Sequence, residues 1–211
     1  MPRSRSFAGT SIDSATSFLK HENTEGILIR PHQKIHGPPF LNLSFLLDAR
    51  DSGILLHGTG ADGAAGNGWL ESIEYQIIEG GTGDLILVRG AARPQVTVET
   101  EKRADGQLYW KPGAGRVTRD QGRINWRGRD MQWQDRLGFR GAADVEKPAG
   151  QWNRSEILAR GGELTFYLNG RIVNQTLDSS HRQGKIQIQS EGAEILVRKI
   201  ELHPLPRSRK P

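Results

Sequence analysis

Residues 163–177 read ELTFYLNGRIVNQTL, and this stretch has a period of two. Leu164, Phe166 and Leu168 alternate with Glu163, Thr165 and Tyr167. Side chains on a strand point alternately to its two faces, so the pattern puts one face in a core and the other in water. Asn169-Gly170 follows, the pair best suited to a two-residue hairpin turn, whose central residues need positive φ. Arg171 to Leu177 then runs back. The flanks repeat the theme. Arg154 to Ala159 reads as a strand before a turn at Gly161-Gly162, and Lys185, Gln187 and Gln189 alternate with Ile186 and Ile188. Glu191-Gly192 turns the chain again, and Glu194 to Leu202 closes it. Consecutive hairpins with alternating faces predict antiparallel sheets. The predicted fold class is all-β, a two-sheet antiparallel β-sandwich of jelly-roll type.

Upstream the signals are shorter. Gly26 to Arg30 (GILIR) reads as a strand that Pro31 stops, and Pro38-Pro39 mark another break. Residues 40–57 (FLNLSFLLDARDSGILLH) hold two strand-like runs around Asp51-Ser52-Gly53. Residues 58–68 (GTGADGAAGNG) form a Gly-rich loop. A β-branched and aromatic run, Trp69 to Glu79, ends at Gly80-Gly81-Thr82-Gly83, and LILVRG at 85–90 gives a further strand. Residues 91–150 are polar, and the expectation there is irregular loops with some strands. The chain divides into a loose leader at 1–25, one sandwich domain at 26–204 and a basic tail at 205–211.

Composition bounds the function. The chain has 211 residues, with 26 Gly and 10 Pro, a punctuation that suits short strands and tight turns. It has no Cys, which excludes disulfides, thiolate metal sites and thiol catalysis. The net charge of +5 invites a nucleic-acid partner. Arg3, Arg5, Arg207, Arg209 and Lys210 account for all of it and sit at the two ends, so the body presents no basic patch and no nucleic-acid partner is expected. No apolar run is long enough to span a bilayer, and the first twenty residues show no apolar core of a secretory signal. The oligomeric state is not legible.

Several motifs compete for chemistry. Gly58, Gly60 and Gly63 match G-x-G-x-x-G, but AAGNGW follows and cannot open the helix that would face a pyrophosphate. Gly80-Gly81-Thr82-Gly83-Asp84 lacks the Lys of a phosphate loop. No nucleotide cofactor is expected. Glu71, Glu74, Gln76 and Glu79 lie on or beside one strand; Glu74 and Gln76 share a face, and Glu79 falls on the other unless a bulge re-aims it. An acid and an amide on one face beside a Gly-rich loop suit a sugar site; the plainer reading is a solvated strand face. His57 ends a strand just before that loop. There is no H-E-x-x-H and no paired-His spacing, so a closed zinc site is not expected, while a hard divalent cation such as Ca held by carboxylates stays open. Of the five Trp, most read as core. Trp126 and Trp133 lie in polar, Arg-rich sequence (INWRGRDMQWQD) and are the candidates for stacking on a sugar ring. No G-x-S-x-G nucleophile elbow occurs.

These residues carry a resemblance. Asp51-Ser52-Gly53-Ile54 followed by Ile73-Glu74-Tyr75-Gln76-Ile77-Ile78-Glu79 resembles the N-S-G-I … G-Y-E-x-Q-I-x-D pattern of the 3-keto-disaccharide hydrolase family. Gly150-Gln151-Trp152-Asn153 is similar to its G-E-W-N, Leu168-Asn169-Gly170 to its L-N-G, Gly184 to Gln189 to its G-x-I-x-L-Q, and Val197-Arg198-Lys199-Ile200 to its F-R-N-I. The ordered set covers roughly residues 40–203. The resemblance implies a concanavalin-like sandwich acting on glycosides oxidised at C3, in a periplasmic or extracellular setting. A C3 ketone acidifies the C2 proton; a carboxylate base removes it, the enolate expels the C1 substituent, and water can add later. A metal ion often stabilises such an enolate. Carried over, Glu74 is the base or a metal ligand, Gln76 a substrate hydrogen-bonder and Glu79 a second catalytic acid in place of the family Asp. His57 stands where Arg is common and Asp51 where Asn is common; the family's opening W-x-x-x-D-G-x-L is missing or altered in residues 1–39. A carbohydrate-binding module without catalysis is the alternative, and a purely structural domain a third.

Overall fold

Every regular element among the described residues is a β-strand. The computed structural model describes the backbone of residues 16–21, 24–29 and 39–47, and residues 52–66, 68–191 and 195–204. In chain order the strands are β1 (Thr16–His21), β2 (Thr24–Ile29), β3 (Pro39–Leu47), β4 (Ser52–Thr59), β5 (Glu71–Ile77), β6 (Leu85–Val88), β7 (Val96–Lys102), β8 (Leu108–Trp110), β9 (Gly115–Arg119), β10 (Gly122–Ile124), β11 (Asn153–Arg160), β12 (Glu163–Leu168), β13 (Arg171–Gln175), β14 (Asp178–Ser179), β15 (Lys185–Glu191) and β16 (Ile195–Pro204). A seven-stranded sheet runs β1-β2-β15-β4-β5-β6-β10, and a five-stranded sheet runs β13-β12-β11-β3-β16. A smaller sheet joins β7 to β14, β8 and β9. All strand pairings are antiparallel.

The two large sheets share one core. The seven-stranded sheet supplies Ile54, Leu56, Ile73, Tyr75, Ile77, Leu85, Leu87, Ile186 and Ile188, and the five-stranded sheet Ile157, Ala159, Leu164, Phe166, Leu168 and Val173. Val96, Val98 and Trp110 of the small sheet close one end. Tyr75 and Phe166 meet across the gap, edge to face, with ring centroids 5.1 Å apart. Ser155 Oγ donates to the Tyr75 hydroxyl at 2.7 Å, so the one polar atom of this buried ring is satisfied; burial pushes its pKa far above the ordinary tyrosine value. Burying a ring such as Phe166 stabilises by about 1.5–3 kcal/mol, and a sandwich core is the sum of many such terms.

The Asn169-Gly170 hairpin forms as expected, with φ of 50° and 80°. Its strands slip by one residue between Phe166 and Tyr167, so Val173 is the unpaired bulge residue. One expectation is corrected. The loose leader ended at residue 25, yet Thr16–His21 is a strand, because β2 pairs on one side with β15 and offers its other edge to β1. Residues 1–15 and the tail at 205–211 lie outside the described residues, as does Asp51. The stretch 91–150 holds four strands up to Ile124 and is irregular beyond it, as expected of loops with some strands; β7, β8 and β9 add the small third sheet to the two of the sandwich.

Candidate functional site

The seven-stranded sheet has a second face, turned away from the core, and that face is polar yet buried. Three central strands build it. Gln76 on β5 stands opposite Gly53 on β4, and Gly53 opposite Gln189 on β15. One rung along, Glu74 stands opposite Leu55, and Leu55 opposite Gln187. Glu74, Gln76, Gln187 and Gln189 are each at most 4% exposed. Gln189 Nε2 donates to Glu74 Oε1 at 2.7 Å, spanning the intervening strand. The span is open because Gly53 has no side chain: a Cβ there would lie 2.0 Å from Glu74 Oε1. Gln187 ties the face to the Gly-rich loop, accepting from Leu70 N at 3.0 Å and donating to Gly68 O at 2.9 Å.

The loop itself is a run of turns, Ala64 N to Ala61 O and Gly66 N to Gly63 O, and opens no helix. Lys185 clasps it by donating to Asp62 Oδ1 at 2.9 Å and Gly60 O at 3.2 Å. His57 sits where β4 carries one more residue than either neighbour, between Leu56 and Thr59. Its φ of 52° is rare for a side chain with a Cβ and marks the bulge that re-aims it. Nδ1 lies 2.7 Å from the His181 carbonyl. A carbonyl only accepts, so Nδ1 carries the proton and Nε2 is the unprotonated nitrogen. Burial lowers the His57 pKa below 6.5, which keeps the ring neutral at pH 7. His181 in turn lies 3.1 Å from Thr59 Oγ1, and its pKa is lowered by its own burial, against the opposing charge of Glu71.

Glu79 is not part of this face. The strand ends at Ile77, and the Glu79 carboxylate turns out to accept from Gly138 N at 2.6 Å. Counting by two put Glu79 off the Glu74 face unless a bulge re-aimed it, and the Gly80–Gly83 turn aims it at the 126–146 segment. That turn is clamped from the same side. Glu146 accepts from Gly80 N at 3.0 Å and Thr82 N at 3.1 Å, and burial with the nearby Asp144 charge pushes its pKa up to about 7. Asp84 accepts from Trp126 N at 2.7 Å and pairs with Arg129.

The two tryptophan platforms separate from the face as well. Trp126 is 5% exposed, belongs to the core and donates Nε1 to Gly80 O at 3.1 Å. A stacking platform needs an open ring face, so Trp126 is corrected to a core residue. Trp133 donates Nε1 to Glu79 O at 2.8 Å and carries the Arg129 guanidinium 3.9 Å above its ring. That contact occupies one of its faces. Sequence reasoning brought Glu74 and Gln76 together and missed Gln189. The alternation KIQIQ at 185–189 was a signal that Gln187 and Gln189 share a face; which residue they would meet was not in it.

A hard cation wants six to eight oxygen ligands, several of them carboxylates. Among the described residues no three His, Asp or Glu side chains converge closely enough to hold one, and Glu74 Oε1 accepts from an amide, that of Gln189. The described residues do not fit the divalent cation that the resemblance implied. None of them forms a helix long and apolar enough to cross a membrane.

The model of the 3-keto-alpha-glucoside-1,2-lyase-like domain matches residues 39–203. No curated protein matches the chain. Among solved structures, a candidate glycosyl hydrolase of Parabacteroides distasonis ATCC 8503 is similar at 19% identity and a TM-score of 0.45, over 89% of this chain and 90% of that one. A carbohydrate-binding module, CBM66 of Bacillus subtilis, is similar at 9% identity and a TM-score of 0.45, over 92% and 93%. A galectin of Caenorhabditis elegans is similar at 12% identity and a TM-score of 0.41, over 90% and 96%.

Proposed function

The chain belongs to the 3-keto-alpha-glucoside-1,2-lyase-like domain family, and from that premise we propose that it cleaves glycosides already oxidised at C3. The observation that carries this reading is the buried Glu74 carboxylate, held at Oε1 by Gln189 on the non-core face beside Gln76. In the proposed step Glu74 takes the C2 proton. The C2–H electron pair forms the enolate with the C3 ketone, then moves into a C1–C2 double bond as the C1–O bond breaks. The aglycone leaves with that electron pair and acquires a proton. Water added across the double bond returns a free 3-keto sugar. Gln76 is assigned to the enolate oxygen, as an amide donor. Gln189 is a positioning residue, since it holds the carboxylate and not the sugar. His57, neutral with Nε2 unprotonated, is assigned to accept from a sugar hydroxyl. No step runs through a metal ion.

Incubating the protein with 3-keto-trehalose, with and without a divalent cation, tests this through the unsaturated sugar and the released glucose. Turnover is expected from the wild type, and Glu74→Gln is expected to lower kcat by at least about 100-fold, the usual share of a positioned base. No turnover in either condition, or full turnover by the variant, overturns the reading. One observation favours a second reading, a binding module without catalysis: Glu79, the second carboxylate that the resemblance offered, is bonded to Gly138 and is not on the Glu74 face. Glycan binding that survives Glu74→Gln, with turnover absent, would select it.

A further inference from the structure

The β13 edge of the five-stranded sheet carries a cavity whose lining does not include Glu74. β13 and the segment after β10 line a half-open cleft of about 340 Å³, within the range of small-ligand pockets. Trp126, Val145 and Val173 form part of its wall, with Ile172 at 44% exposure beside them. The bulge at Val173 makes this shape. It turns Val173 fully inward and leaves the preceding residue, Ile172, outward. Arg127 N donates to Val173 O at 3.2 Å, a backbone bond that joins the two sides of the cavity.

Two arginines, Arg127 and Arg171, complete the lining, and both residues are exposed. Neither makes an ion pair among the described residues, although this region is rich in carboxylates. Asp144 and Glu146, near at hand in sequence, are both engaged by Arg140. The cavity thus joins an apolar wall to a positive pair that nothing in the described chain neutralises. An occupant that satisfies both needs an apolar ring face and an anionic group on the same small body.

We propose that this cavity is a second saccharide subsite, one that takes a sugar carrying a carboxylate, of the hexuronate class. The C–H face of such a ring packs on Ile172 and Val145, while its carboxylate meets Arg127 and Arg171 in charge-assisted, fork-shaped contacts. The choice of a sugar as the body rests on the saccharide reading above; the charge and shape do not. The site is a binding site and asks nothing of Glu74.

An amide chemical-shift titration of the full chain with D-glucuronate tests it, with D-glucose and acetate in parallel arms. Glucuronate is expected to move the amides of Gly128, Ile172 and Val173 saturably. Glucose and acetate are each expected to bind at least about tenfold more weakly, since each lacks one of the two contacts. Arg171→Gln should weaken glucuronate by a similar factor. Ala143→Trp, a substitution at an exposed residue of the lining, should abolish binding by filling the space while the other amides stay in place. No saturable shift with glucuronate overturns the proposal. So does glucose or acetate binding as tightly as glucuronate, or undiminished binding by an Arg127→Gln/Arg171→Gln double variant. The readout does not depend on turnover, so failure of the keto-glycoside assay leaves it intact, and the reverse holds too.

Discussion

At the scale of single residues, the chemistry of the candidate site depends on a missing side chain. Gly53 lies between Gln76 and Gln189 on its rung, and the Glu74 carboxylate fills the space above it. Any Cβ at that position meets Oε1 at 2.0 Å, and a fixed carboxylate on a packed face has little room to yield. Gly53→Ala is therefore expected to cost about 1–3 kcal/mol as overpacking, read as a lower urea midpoint at an unchanged m-value, and to displace Glu74 from Gln189. An unshifted midpoint would show that the carboxylate relocates freely. The shared face of Glu74 and Gln76 was legible because a strand has period two. The bond from Gln189 to Glu74 was not, since it joins residues 115 positions apart and depends on the register of two strand pairs.

At the scale of elements, turns were more legible than bulges. Asn169-Gly170 announces its hairpin because few residue pairs tolerate two positive φ angles in succession. Gly170 has φ of 80°, so Gly170→Val should destabilise by about 1–2 kcal/mol, seen as a lower melting temperature; equal stability would mean that the turn changes type. The bulges at His57 and Val173 were not legible. Each inserts one extra residue into its strand without any change in the alternation that sequence periodicity detects. Yet they do the most to shape the surface. One turns a histidine beside the Gly-rich loop, and the other sets Val173 inward and Ile172 outward at the edge cavity. Glu79 illustrates the same limit: counting by two placed it off the face of Glu74, and only the turn that follows decided that it binds Gly138.

For the whole molecule, two sheets are locked by Tyr75 and Phe166 at the middle and by Glu146 at one end. Glu146 stands in the irregular segment and holds the turn between β5 and β6 through two backbone amides. Burial raises its pKa from 4.5 to about 7. The folded state thus binds this proton more tightly than the unfolded chain does. Its contribution is whole below about pH 4.5 and is lost as the pH rises through about 7. Relative to Glu146→Gln, which cannot titrate, the wild type should lose stability across that window in denaturant titrations. A constant difference between the two proteins would refute the assignment. The opposite trend expected of His57, whose pKa is lowered, cancels in this comparison because both proteins carry it.

The sequence alone determined the fold class, the positions of most strands from Ile54 onward and the face that Glu74 and Gln76 share. All of these are local properties: periodicity, turn chemistry and the side a residue points to are written within a few neighbouring positions. Tertiary structure alone decided which strands lie beside one another, and with that everything that depends on a third strand. It set Gln189 against Glu74, sent Glu79 to a different loop, drew Trp126 into the core and left Arg127 and Arg171 together at one cavity. Those outcomes turn on register and packing between segments far apart in the chain, where a shift of one residue would put every side chain on the other face.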